Sequence, residues 1–134
     1  MDEKRNRKRA PLTNSFEQGK LPPQAVEIEE AVLGALLLEK NCVLPISEIL
    51  KPESFYKEAH QMIFRAIFNL FNKNAPIDIL TVVQELKRTE ELDIVGGPYF
   101  ITQLTNRIAS AANVEYHARI VAQKALQREM IGLS

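Results

Sequence analysis

Apolar residues recur at helical spacing along this chain, most strongly over residues 55–86. Tyr56, Ala59, Ile63, Ile67 and Leu70 follow one another at intervals of three or four, the signature of one helix face. Phe64, Phe68 and Phe71 widen that stripe past half the circumference, so the pattern predicts a helix over about 56–72 enclosed by other helices. The polar run Asn72, Lys73, Asn74, Ala75, Pro76 then turns the chain. Asp78 stands where its carboxylate caps a second helix, about 79–88, with Leu80, Val83 and Leu86 facing inward onto the first.

The same reading extends to both sides. Pro23 fits the first turn of a helix, and Glu27, Glu29 and Glu30 lie near the positive end of its dipole. That helix becomes apolar on nearly every side over residues 31–38. Gly34 in its middle costs about 1 kcal/mol against alanine, a sacrifice that points to close approach by a neighbouring helix. Asn41 is placed to cap a short helix over about 42–50, with Pro45 near its first turn, and residues 51–54 form a corner. Residues 89–95 read as a loop or frayed end. Gly96, Gly97 and Pro98 break the chain and start a helix over about 99–107 that buries Phe100, Ile101 and Leu104. Residues 108–112 are a small-residue connection. Asn113 caps a last helix carrying Val114, Ala118, Val121, Ala125 and Leu126 on one side, which runs on to Gly132, Leu133 and Ser134 without a packed stop. The expected fold is all-α, a compact bundle of about six helices with no sheet.

Composition narrows the function classes. The chain has 134 residues, 46% of them apolar and 25% charged, which suits one globular domain. Its single cysteine, Cys42, excludes an internal disulfide and a cysteine-rich zinc site, and a reducing cytoplasm is the expected home. The longest purely apolar run, residues 31–38, is far shorter than the ~20 residues a bilayer demands. Six of the 17 basic residues and three of the 17 acids fall in residues 1–20, which read as a disordered basic tail. Residues 21–134 therefore hold 11 basic against 14 acidic residues, a net charge of −3. A domain gripping nucleic acid through its own surface normally carries the opposite excess.

Catalytic patterns are missing. No G-x-x-x-x-G-K-[ST] loop is present, and Pro98 removes an N–H that a phosphate nest around Gly96 and Gly97 would use. His60 and His117 lack a second ligand at metal spacing, so His60 reads as a satisfied histidine at the edge of the core. The three glutamates read as dipole partners, and Cys42 has only Lys40 nearby to activate it. The residues describe a non-enzyme with no cofactor or metal of its own.

Taken in order, several segments resemble the N-terminal domain of the bacterial replicative DNA helicase family, the DnaB type. Pro22, Pro23, Gln24 and then Glu30 to Gly34 open the likeness, which continues through Phe55, Tyr56, His60, Ile63 and Phe64. Pro76, Ile77, Asp78, Thr81, Val82 and Leu86 extend it, followed by Gly96 and Gly97, Ala112 to Tyr116, Ala118 to Val121, and Arg128. The resemblance spans residues 21 to about 131, and its strength lies in the joint order. It implies one helical domain over 21–134 of a hexameric helicase whose ATP- and magnesium-dependent motor lies in a separate C-terminal domain. It also implies that such domains pair through a helical hairpin, here represented by its first arm, the last helix. Three pairs would form a collar that receives the C-terminal domain of primase and, in some lineages, a helicase loader, with DNA met only by the intact helicase. Tyr99, Arg128 and Ile131 become candidates for the partner-facing side, while Gly34, Phe55, His60, Asp78, Gly96, Gly97 and Asn113 are structural. The competing reading is a stand-alone nucleic-acid-binding or adaptor domain with 114–131 as recognition helix. The acids Glu115 and Glu129 weigh against it.

Overall fold

The apolar stretch after Glu30 forms most of α1 (Val26–Leu38), and its inward side chains Val32, Leu33, Ala35, Leu36 and Leu37 are all buried. The computed structural model describes residues 21–107 and 113–132. Among them the chain forms seven α-helices, two 3-10 turns and no strand. After α1 come the 3-10 turn Lys40–Cys42, α2 (Val43–Ser47), the 3-10 turn Pro52–Ser54 and α3 (Glu58–Asn72). Then follow α4 (Ile79–Arg88), α5 (Leu92–Val95), α6 (Gly97–Leu104) and α7 (Val114–Met130).

Helix α1 lies between α7 and α3 and also touches α6, which explains an apolar surface on nearly every side. Helix α3 buries Ile63, Phe64, Ala66, Ile67 and Leu70 and packs on α4, the expected corner with a second helix set back on the first. Asp78 makes the turn into α4 by a reciprocal cap: Oδ1 accepts the Thr81 N–H at 2.9 Å, and Thr81 Oγ1 accepts the Asp78 N–H at 2.9 Å. Two orphan donors at the helix start are thereby satisfied.

Several expectations need correction. Residues 89–95 are not simply a loop, because Leu92 and Val95 lie one helical turn apart and α5 buries both against α3 and α6. Leu80 faces outward, 64% exposed, since α4 turns Val82, Val83 and Leu86 inward instead. Asn41 lies inside a 3-10 turn and caps nothing, and the helix expected over 42–50 stops at Ser47. Asn113 occupies the N-cap position of α7 but makes no side-chain capping bond. The tail 1–20 and the connection 108–112 lie outside the described residues.

Gly96 is the sharpest backbone requirement. Its φ of +113° belongs to the left-handed region, and a Cβ there would come within 3.0 Å of the Phe100 Cβ. The turn thus draws Phe100 back over the bundle, where its ring meets His60.

The two caps make a paired prediction. Replacing Asp78 by alanine lowers unfolding free energy by about 1 kcal/mol. Asn113→Ala changes it by less than about 0.5 kcal/mol, as an uncapped, exposed position should. Urea denaturation of both variants reads the difference directly.

Candidate functional site

Three sets of inward-turned charged side chains, centred on Glu29 (with Glu30 beside it), Arg128 and Glu85, are the main polar features of the described residues. The first is Glu29, placed by α1 on the same face as Leu33 and Leu36 and only 1% exposed. Its Oε1 meets His60 Nδ1 at 2.7 Å and its Oε2 accepts the Tyr56 N–H at 2.6 Å. His60 is fully buried, so it lies in the core and not at its edge. Phe100 stacks on the imidazole with centroids 6.1 Å apart, and Phe55 presents its edge at 6.5 Å. On the far side of the ring Nε2 has no hydrogen-bond partner, although Glu30 Oε2 stands 3.6 Å away. Arg107, at the end of α6, reaches Glu30 Oε1 at 3.4 Å.

The second is Arg128. Of the three partner-facing candidates it is the one turned inward, 5% exposed rather than solvated. One guanidinium nitrogen donates to the Pro23 carbonyl and another to the Ser54 carbonyl, both at 2.9 Å, while the group lies 5.4 Å over the Tyr56 ring. The last turn of α7 is therefore clamped to the entry of α1 and to the 3-10 turn before α3. Tyr99 and Ile131 do stand outward, 74% and 44% exposed. Tyr99 belongs to α6 and Ile131 caps the end of α7, so the three candidates do not form one group.

The third is Glu85 on α4, 5% exposed, with Arg88 at 2.6 Å and Lys73 of the α3 C-terminus at 3.7 Å. The hydrogen bond from Arg88 holds its carboxyl below the usual carboxylate range, against the opposing effect of burial. The remaining structural candidates fall where packing needs them: Gly34 and Phe55 are buried, and Gly97 adopts φ +80° at the start of α6.

Chemistry finds little purchase. Among the described residues no group of three histidine, cysteine or acidic side chains is arranged to hold a metal. Burial, with Glu39 and Glu115 nearby, pushes the Cys42 thiol up and disfavours a thiolate. A cleft of about 600 Å³ lies between the end of α7 and the start of α3, floored by Phe55, Tyr56 and Arg128. Its guanidinium is already committed to backbone carbonyls, and no acid–base pair converges there. Among the described residues no helix is long and apolar enough to cross a membrane.

The outer face of α7 corrects one expectation: Leu126, expected on the same side as Val114, Ala118, Val121 and Ala125, faces outward instead. Tyr116, Leu126 and Met130 are 68%, 56% and 76% exposed. At 100° per residue they fall within about 80° of one another, opposite the buried Val114, Ala118 and Val121.

A family model described as the DnaB-like helicase N terminal domain matches residues 21–123. The chain belongs to that family. The replicative DNA helicase DnaB of Rhodothermus marinus is 56% identical over 110 residues, covering 82% of this chain and 12% of that relative. The chain thus spans a small part of the helicase it matches. The crystal structure of the N-terminal domain of DnaB helicase from Mycobacterium tuberculosis superposes with a TM-score of 0.81 at 40% identity, covering 83% of this chain and 80% of that one. The corresponding DnaB domain of Helicobacter pylori, described together with its interactions with primase, shares the fold with a TM-score of 0.65 at 21% identity over 80% of this chain and 83% of that one. The all-α class is the one expected from the residue pattern, and the DnaB N-terminal domain is the one the resemblance implied.

Two predictions follow from the inward charges of this DnaB-like domain. Arg128→Ala lowers stability by about 2 kcal/mol, the scale of charge-assisted hydrogen bonds lost. Arg128→Lys fails to restore it, because one ammonium cannot serve two carbonyls in the guanidinium's fork geometry. Glu85 contributes stability that is present above the ordinary carboxylate value of 4.5 and is lost as pH falls through its depressed folded value. The stability gap between the native chain and Glu85→Gln is therefore steady above about pH 5 and narrows below it, as denaturation across that range reports.

Proposed function

We propose that this domain is the N-terminal scaffold of a hexameric bacterial replicative DNA helicase, acting at the replication fork in the cytoplasm. In this reading it contributes to a collar of paired domains and offers a docking surface to the C-terminal helical domain of primase and, where one exists, to a helicase loader. ATP and magnesium belong to a motor domain elsewhere in the helicase, and DNA is met by the assembled ring.

The observation that carries this reading is the set of exposed apolar side chains on the outer face of α7, in a chain of the DnaB-like family. A helix that buries one face against α1 and shows Tyr116, Leu126 and Met130 on the other is suited to receive a further helix. Helical pairing of this kind typically buries roughly 800 Å² per partner. The net charge of −3 over residues 21–134 supports protein rather than nucleic-acid partners for the folded part. The primase interactions described for the Helicobacter pylori domain support the choice of primase.

Tyr99 and Ile131 remain the contact candidates, while Arg128 serves the domain's own structure. In calorimetric titration with a primase C-terminal domain, the double variant Tyr99→Ala, Ile131→Ala is expected to bind at least about tenfold more weakly, with its melting temperature unchanged. Unchanged affinity would remove both residues from the interface. Failure of the native chain to bind any primase domain would remove the docking role itself.

A further inference from the structure

The polar contacts around His60 form a chain whose longest step is at Nε2. From the start of α3, the Tyr56 N–H donates to Glu29 Oε2, and Glu29 Oε1 pairs with His60 Nδ1. Beyond the ring the sequence resumes: Glu30 Oε1 pairs with Arg107 Nε at 3.4 Å. The step from His60 Nε2 to Glu30 Oε2 is longer, at 3.6 Å, neither of these two ion pairs is a hydrogen bond, and Nε2 is the buried side-chain polar atom left without a partner among the described residues.

The chemistry of that step is definite. Glu29 already accepts from the Tyr56 amide, so it is fitted to accept from an Nδ1–H as well. A singly protonated ring then turns the bare Nε2 lone pair toward a carboxylate oxygen, acceptor against acceptor. A second proton on Nε2 makes that atom a donor facing Glu30. Among the described residues, these polar and aromatic groups stand against the ring. From α1 come Glu29 and Glu30, with Arg107 behind Glu30 from the end of α6. Helix α6 adds the Phe100 ring, and the segment before α3 adds the Phe55 ring and the Tyr56 amide. With two carboxylates and one guanidinium in the set, the second proton brings positive and negative charges to equal number.

We infer that His60 is a proton-operated latch: protonation at Nε2 joins Glu30 to the ring and completes a continuous chain from the start of α3, through α1, to Arg107 at the end of α6. The turn ending α6 is held by three backbone bonds, from the N–H groups of Thr105, Asn106 and Arg107 to the carbonyls of Thr102, Gln103 and Leu104. Closing the gap anchors that turn through Arg107, so its amides open less often as His60 gains its second proton.

The test follows the His60 ring nitrogens by NMR while measuring hydrogen exchange at Thr105, Asn106 and Arg107, corrected for intrinsic pH dependence, in the full chain from about pH 8 to about pH 5.5. The expected result is exchange slowed at least about fivefold as Nε2 takes up its proton, and no such slowing in Glu30→Gln. Arg107 is half exposed, so Arg107→Gln is the variant that keeps the fold intact. In it the ring still takes up its second proton while the three amides no longer respond. A ring whose protonation does not change across the range, whether singly or doubly protonated, overturns the inference. So does an equal slowing of exchange in Arg107→Gln.

Discussion

Everything in this bundle is hung on a carboxylate that should by its nature be in water. Burying a charged group is expensive unless its oxygens are matched, and breaking one side of a buried pair commonly costs about 3–5 kcal/mol. Glu29 is matched at both oxygens, by the His60 ring and by the Tyr56 amide. The second contact lies just ahead of α3, whose own N-cap residue, Lys57, supplies no side-chain bond. A residue 27 positions earlier therefore fixes where the central helix begins. The first two packed helices are registered to each other by a directional contact before any apolar side chain is counted.

The same device recurs at the other seams. Apolar packing drives collapse but is non-directional, so a bundle of Leu, Ile, Val and Phe faces leaves room for neighbouring rotations of each helix. Arg128 ties α7 to the entry of α1 and to the turn before α3, and Glu85 ties α4 to the C-terminus of α3 through Lys73. Each inward charge has partners on a different element from its own, and those partners exist in one arrangement only. Phe55 and Phe100 lie against the His60 ring of the buried Glu29–His60 pair, which strengthens it by lowering the local dielectric.

How far the sequence disclosed this differs by residue type. Asp78 and the α3–α4 corner were legible because capping and 3.6-residue periodicity are local signals that tertiary structure had no reason to override. Helix α5 was hidden by its length: four residues give one apolar interval, Leu92 to Val95, too little for periodicity to register. Leu80 misled because a leucine in the first turn of a short helix satisfies the apolar template while pointing outward. The inward charges were misread for a more general reason. Glu29 and Arg128 are surface residues by type, yet each keeps the register of its helix's buried face. Glu29 precedes Leu33 by four residues and Leu36 by seven, and Arg128 follows Val121 by seven and Ala125 by three. Position, weighed above residue type, would have placed both inside. What no single position could reveal is the partner, since Pro23 and Ser54 are 105 and 74 residues away in sequence.

That division of labour bears on function. An enzyme concentrates its unusual polar groups where a substrate can reach them, whereas this domain has turned its most constrained charges inward and matched them to its own backbone and side chains. Its surface carries the reverse anomaly, large apolar side chains in the open at Tyr99, Tyr116, Leu126 and Met130. Single exposed apolar residues need no explanation, but Leu126 and Met130 lie one turn apart on the outer side of α7, which also carries Tyr116 beyond the exposed Arg119 and Gln123. A rigid interior held by directional contacts and an apolar ridge left unsatisfied are the two properties a scaffold requires. In the scaffold role proposed above, the first would hold Tyr116, Leu126 and Met130 in fixed positions and the second would supply the free energy of binding a partner.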